Sequence, residues 1–206
     1  MSRRYGSRMS RNIPYEIEFA CDYEVAPLER IDRSIGRAYS FPDGLPVDPQ
    51  QQHADRPIVA VRPRVGDPWV GVFYGGSYLS GDAVSGRLIA WPDGHSLCVV
   101  YAGGAVVVRA DNPKSTYEIA ASPVITDMRV VPELELVLFA DWTNLHAYGA
   151  DGPVWHSRRL ALDELKIDDV EAETIHVSGF FGGSYDAFTV NARTGEARGQ
   201  PYDPSE

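Results

Sequence analysis

Two histidines ten residues apart, His146 and His156, flank an Asp151-Gly152 turn in the stretch LHAYGADGPVWH. Imidazoles that face each other across a hairpin could hold a metal ion or relay a proton, and one residue of register decides whether they do. A two-residue Asp-Gly loop, the favoured tight hairpin, puts Tyr148 opposite Trp155 and offsets the histidines. A three-residue loop, Ala150 to Gly152, would align them. The Asp-Gly signal favours the aromatic pair. Asp141 is the nearest further ligand in sequence, and catalytic zinc centres use three protein ligands plus water. His146, His156 and Asp141 are therefore weak metal candidates, and no metal is expected. His53 lies in a polar linker and His95 beside a Pro-Asp-Gly turn, so both are expected in solvent.

Other catalytic signatures are missing. There is no G-x-S-x-G elbow and no signature cysteine context. The glycine pairs lack the strand-to-helix setting and the Gly-Lys-Ser/Thr ending of a phosphate loop. Asp163, Glu164, Asp168, Asp169, Glu171 and Glu173 crowd around one connection and read as a solvated acidic strip. A hydrolase or lyase using carboxylates or histidines is the runner-up, since such pairs are assembled in space from distant positions. No catalytic residue is assigned and no cofactor is expected. Cys21 and Cys98 show no zinc spacing and read as two buried, reduced thiols.

Aromatic residues offer more. Trp142 falls in a predicted strand-to-strand turn, with Tyr101 and Phe181 near equivalent strand ends of neighbouring units. On one rim these three would suit partner binding, because Trp and Tyr are hot-spot residues. A turn Trp can also fold back to cap a core.

The elements that place these residues repeat. A strand–turn–strand pattern begins at Leu97, Leu136 and Ile175, 39 residues apart. A period near 40 with strand patterning is the mark of propeller-type repeats. Each unit reads as four short antiparallel strands rich in Val, Ile, Tyr and Phe, separated by Gly, Asp, Asn and Pro turns. Apolar residues Val99, Tyr101, Val107, Leu136, Leu138, Val177 and Phe188 are expected in the core. The order of residues 87–198, with AYGADGPVW and FTVNARTGEA, resembles the quinoprotein-type propeller repeat, in which a strand ends in an Asp-x-x-Thr-Gly turn and a Trp follows. Asn191 stands in place of that Asp, and Ala197-Arg198 supply no Trp. The resemblance implies blade-like sheets and leaves the cofactor unassigned.

The fold class expected is mainly β, with about three four-stranded propeller-like units over 87–206. A β-sandwich or open barrel is the alternative. Residues 13–86 form a less regular β-rich segment, with strands at 13–21, 57–64 and 67–76. One short helix is expected over 26–36, from Pro27 at its start, Leu28, Ile31 and Ile35 on one face, and Gly36 as its stop. The motif GGSY at 75–78 and 182–185 suggests a duplicated turn. Residues 1–12 read as a disordered basic tail without the apolar region of a secretory signal, and the whole as one compact domain.

Composition bounds the partners. A formal charge of −10 on 206 residues disfavours phosphate backbones, so no nucleic acid is expected. No apolar run reaches the length of a membrane span. A cytoplasmic location is expected. The leading expectation is a non-catalytic acidic β-repeat protein binding another protein, such as an inhibitor or immunity-type partner of a basic enzyme. An assembly or scaffold subunit is the third reading, with a homo-oligomer following if the repeats do not close.

Overall fold

The computed structural model describes residues 15–47, 56–75, 84, 86–119 and 124–199. The tail at 1–12, His53 and most of the GGSY motif at 75–78 lie outside them. The described regular elements are strands, apart from one 3-10 turn at Pro132–Leu134. They are β1 (Tyr15–Glu16), β2 (Tyr23–Leu28), β3 (Arg37–Phe41), β4 (Leu45–Pro46), β5 (Ile58–Pro63) and β6 (Trp69–Phe73). Then come β7 (Arg87–Ala90), β8 (Ser96–Tyr101), β9 (Gly104–Arg109), β10 (Thr116–Glu118), β11 (Asp127–Val131), β12 (Leu136–Ala140), β13 (Leu145–Gly149) and β14 (Gly152–His156). The last four are β15 (Asp163–Glu171), β16 (Thr174–Phe180), β17 (Tyr185–Asn191) and β18 (Ala197–Arg198).

These strands build four sheets. The first has the order β2-β5-β6-β3-β4 and the second β1-β7-β8-β9-β10; the third runs β11 to β14 and the fourth β15 to β18. Pairing is antiparallel except for β1 on β7 and β3 on β6. The expected four-stranded units over 87–198 are present, and the N-terminal strands supply a further sheet. Four sheets stand where a sandwich would have two, and none closes into a barrel.

The repeat is set by its central hairpins. Tyr101 pairs with Gly104 around Ala102 and Gly103, both at positive φ, as a tight primed turn requires. The amides of Asp141 and Phe181 close the equivalent turns on the carbonyls of Asn144 and Ser184. Tyr101, Asp141 and Phe181 thus lie 40 residues apart. Counted from these turns, Leu97 corresponds to Val137 and Val177, not to Leu136 and Ile175. The sequence anchors begin the right strands but sit one and two residues out of register. A shift of one turns a side chain to the opposite face. Leu97 accordingly packs on the first sheet, whereas Leu136 packs on the fourth.

Apolar side chains fill each gap between successive sheets. Leu88, Leu97, Val99, Val106 and Val108 meet Phe41, Val59, Val61, Trp69 and Phe73 between the first and second. Ile89, Cys98, Val100 and Val107 meet Val137, Phe139 and Tyr148 between the second and third. Leu136, Leu138, Leu145 and Ala147 meet Leu165, Ile167, Ile175, Val177 and Phe188 between the third and fourth. All seven expected core residues are buried, with Val107 on the face opposite Val99. Polar tips bridge the gaps too. The Tyr23 hydroxyl donates to the Ser96 carbonyl at 2.6 Å, Trp69 Nε1 to Ala110 at 2.7 Å and Trp155 Nε1 to Ala192 at 2.8 Å.

Burial patterns show where the stack ends. Strands β8 and β12 are buried at every residue, because both faces of their sheets are covered. Strand β16 instead alternates, with Ile175, Val177 and Gly179 buried and Thr174, His176, Ser178 and Phe180 half-buried. Its second face is therefore partly open to solvent, which suits its polar Thr174, His176 and Ser178. Among the described residues no apolar cluster joins the fourth sheet to the first.

The short helix over 26–36 is not formed. Residues 26–28 belong to edge strand β2, with Pro27 opposite Val59, and a turn spans 33–35. An edge strand tolerates proline because one side of it needs no ladder bond. Leu28, Ile31 and Ile35 do share a face, but they use it to cover Ile58, Val70 and Val72 of the first sheet.

Candidate partner-binding rim

Three connections meet at one end of the third and fourth sheets. The amide of Leu160 donates to Thr143, that of Leu165 to Trp142 and that of Leu162 to Phe180. The Trp142 turn, the 160–165 segment and the Phe181 turn are thereby tied together by backbone hydrogen bonds. Exposed apolar side chains lie beside these bonds. Leu162 is 36% exposed and Tyr185 55% exposed. The Tyr185 ring lies 5.5 Å from that of Phe180, and Leu162 borders Gly182. A Cβ added at Gly183 would meet no atom of the described residues within 4 Å.

Carboxylates edge the patch. Strand β15 is bulged between Asp163 and Lys166, and a bulge re-aims side chains. Glu164, at positive φ, turns outward there and accepts a hydrogen bond from the Tyr185 hydroxyl. Asp163 Oδ1 accepts the Glu164 amide, and the Ser184 hydroxyl donates to Asp186 at 2.8 Å.

Of the three residues expected to bind a partner, two lie on this rim. Trp142 and Phe181 are both half-buried, and Phe181 stands edge-on to Phe188 at 6.0 Å against the core. Tyr101 is 8% exposed and presents almost no area to a partner. Its hairpin is the two-residue kind, and the chain passes so close that a Cβ on Gly75 would lie 2.1 Å from the Tyr101 carbonyl oxygen. Sequence reasoning missed Leu162, Phe180 and Tyr185. The available signal was the FFGGSY run itself, where Tyr185 closes the aromatic pair across a glycine turn.

The histidine register also differs from expectation. Gly149 pairs with Gly152 around a two-residue turn, but a bulge follows between Tyr148 and Ala147. Val154 absorbs the extra residue, so Tyr148 faces Pro153, Ala147 faces Trp155 and His146 faces His156. The imidazoles are aligned by a bulge that neither loop length foresees.

This alignment does not build a metal centre. Asp141 is buried, and its Oδ1 accepts the amides of Thr143 and Asn144, both at 2.7 Å. Its Oδ2 meets His146 Nε2 at 3.0 Å. The carboxylate is thus fully engaged in holding its own turn and orienting one imidazole, while His156 is exposed on the edge strand. Among the described residues no group of three or more His, Cys, Asp or Glu side chains could hold a metal ion. The neighbouring Ser157 hydroxyl accepts the Leu145 amide. The acidic strip over 163–173 lies mostly exposed along β15.

No helix among the described residues is long and apolar enough to cross a membrane. No protein-family model and no curated protein matches the chain. Among solved structures, the crystal structure of Citrobacter koseri AztD aligns at 12% identity with a TM-score of 0.40, over 79% of this chain. The chain spans about 45% of the length of that protein.

Proposed function

We propose that this chain is a non-catalytic β-repeat protein that binds a basic protein through the rim built by Trp142, Leu162, Phe180, Phe181 and Tyr185. One observation carries the reading: exposed aromatic and aliphatic area on a hydrogen-bonded turn cluster, edged by Asp163, Glu164 and Asp186. Aromatic anchors supply desolvation energy, and the surrounding carboxylates select a partner bearing Lys or Arg beside its own apolar contacts. A net charge of −10 steers such a partner at long range. An inhibitor or immunity-type role toward a basic enzyme is one form of this activity.

The test is affinity capture with matched baits, wild type against Leu162→Ser/Tyr185→Ser, each recovered chain then measured in purified form. Both substitutions are at exposed positions, and melting curves confirm that the fold survives. A basic protein that binds wild type, loses affinity for the double variant and weakens as salt is raised supports the proposal. A partner that ignores the double variant refutes the rim, and a second copy of this chain as the bound species would favour the scaffold reading instead.

A further inference from the structure

A groove of about 470 Å³ lies at the edge strands of the third and fourth sheets. Its walls bear His156 and Arg158 from the end of β14, with Thr194, Glu196 and Arg198 from the turn before β18. In so acidic a chain, a concavity with two guanidiniums, an imidazole and one carboxylate is a local reversal of charge. Neither the Arg158 nor the Arg198 guanidinium has an ion-pair or hydrogen-bond partner among the described residues.

The walls are built, not draped. Ser157 is buried between His156 and Arg158, and its amide, hydroxyl and carbonyl are all engaged with residues 144–145. On the other side Asn191 Oδ1 accepts the amides of Arg193 and Thr194. Gly195 rests on the Trp155 ring so closely that a Cβ would lie 2.7 Å from it. The Thr194 hydroxyl oxygen accepts the Glu196 amide at 3.3 Å, which leaves its proton free to donate.

We infer that this groove binds a small hydroxylated phosphate monoester of the sugar-phosphate class. Guanidiniums pair with phosphate through two parallel N–H bonds. A phosphate offers three oxygens for two such forks and the Thr194 hydroxyl, whereas a carboxylate has only two oxygens. The volume exceeds that of a bare phosphate, which leaves room for a further part of the ligand. Glu196 would repel a second anionic group and accept hydrogen bonds from hydroxyls. An anion followed by a hydroxylated body fits that layout.

Titration calorimetry with glucose 6-phosphate, inorganic phosphate, glucose and succinate tests the assignment. Glucose 6-phosphate should bind with a dissociation constant below about 1 mM, inorganic phosphate more weakly, and glucose and succinate not measurably. Arg158→Gln and Arg198→Gln should each weaken it about tenfold, the effect of losing one charged hydrogen-bonding group. Glu196→Gln should tighten inorganic phosphate and narrow its gap to glucose 6-phosphate. The substituted side chains are exposed, and unchanged melting temperatures show that a loss of binding is local. No saturable binding by glucose 6-phosphate, equal affinity for both phosphates in the wild type, or binding undiminished in the Arg158→Gln/Arg198→Gln variant would overturn it.

Discussion

Single residues state most clearly what the packing is worth. Leu138 is fully buried between the third and fourth sheets, so Leu138→Ala removes apolar contacts that the neighbouring strands cannot replace by moving. Chemical denaturation should show a loss of about 2–5 kcal/mol. Ionisable groups predict a response to alkali. Burial pushes both the Tyr23 phenol and the Cys98 thiol well above their ordinary values. The folded state therefore retains protons that the unfolded chain releases above about pH 8.5 for Cys and 10 for Tyr. Stability from these groups is complete below those values and is lost as pH rises toward the folded-state values, by up to about 1.4 kcal/mol per pH unit for each group. Urea unfolding followed from pH 7 to 11 should show this decline, with an earlier onset in the wild type than in Cys98→Ala. Native Cys98 should also resist alkylation until the protein unfolds. Core identity was legible at this scale, since Val99, Leu138, Val177 and Phe188 announce themselves by type and alternation. The histidine pairing was not, because a bulge at Val154 leaves no mark in composition.

At the scale of elements, turns were more legible than register. Asp, Asn and Gly clusters located the reversals over 87–198, yet apolar anchors misjudged the period by a residue. Leucine and isoleucine occupy either face of a sheet buried on both sides, so apolar type alone does not fix a face. The first sheet was harder still. Its β3 and β6 are parallel neighbours separated by more than 25 residues of chain, and β2 carries a proline that reads as a helix start. Gly36 directly precedes β3, and a Cβ there would sit 1.9 Å from the carbonyl oxygen of Pro68, which directly precedes β6. Backbone cannot yield as a flexible side chain would, so Gly36→Ala should destabilise by several kcal/mol or abolish soluble expression. A melting temperature within two degrees of wild type, on the order of the shift from about half a kcal/mol, would show that the backbone at Gly36 can move away from Pro68 at little cost.

For the whole molecule, four serial sheets leave the last one facing solvent, and the alternating pattern of β16 records it. That alternation stands in the sequence as T-I-H-V-S-G-F beside the unbroken L-V-L-F-A of β12, and it distinguishes an end sheet from an internal one. Two hairpin turns and the connection between their sheets converge at the rim; the repeat placed Trp142 and Phe181 there, but no local pattern added Leu162. The central claim is that this rim is where a basic partner docks. Its most direct test is the dissociation constant of the purified partner for wild type, for Trp142→Ala/Tyr185→Ser, and for His176→Ser on the solvent face of the last sheet, at two salt concentrations. The rim variant should bind about 30-fold more weakly, the effect of losing about 2 kcal/mol at a hot spot. The His176→Ser protein should match wild type, and affinity should fall with added salt. Equal affinities for the rim variant and wild type, with both folded, would contradict it.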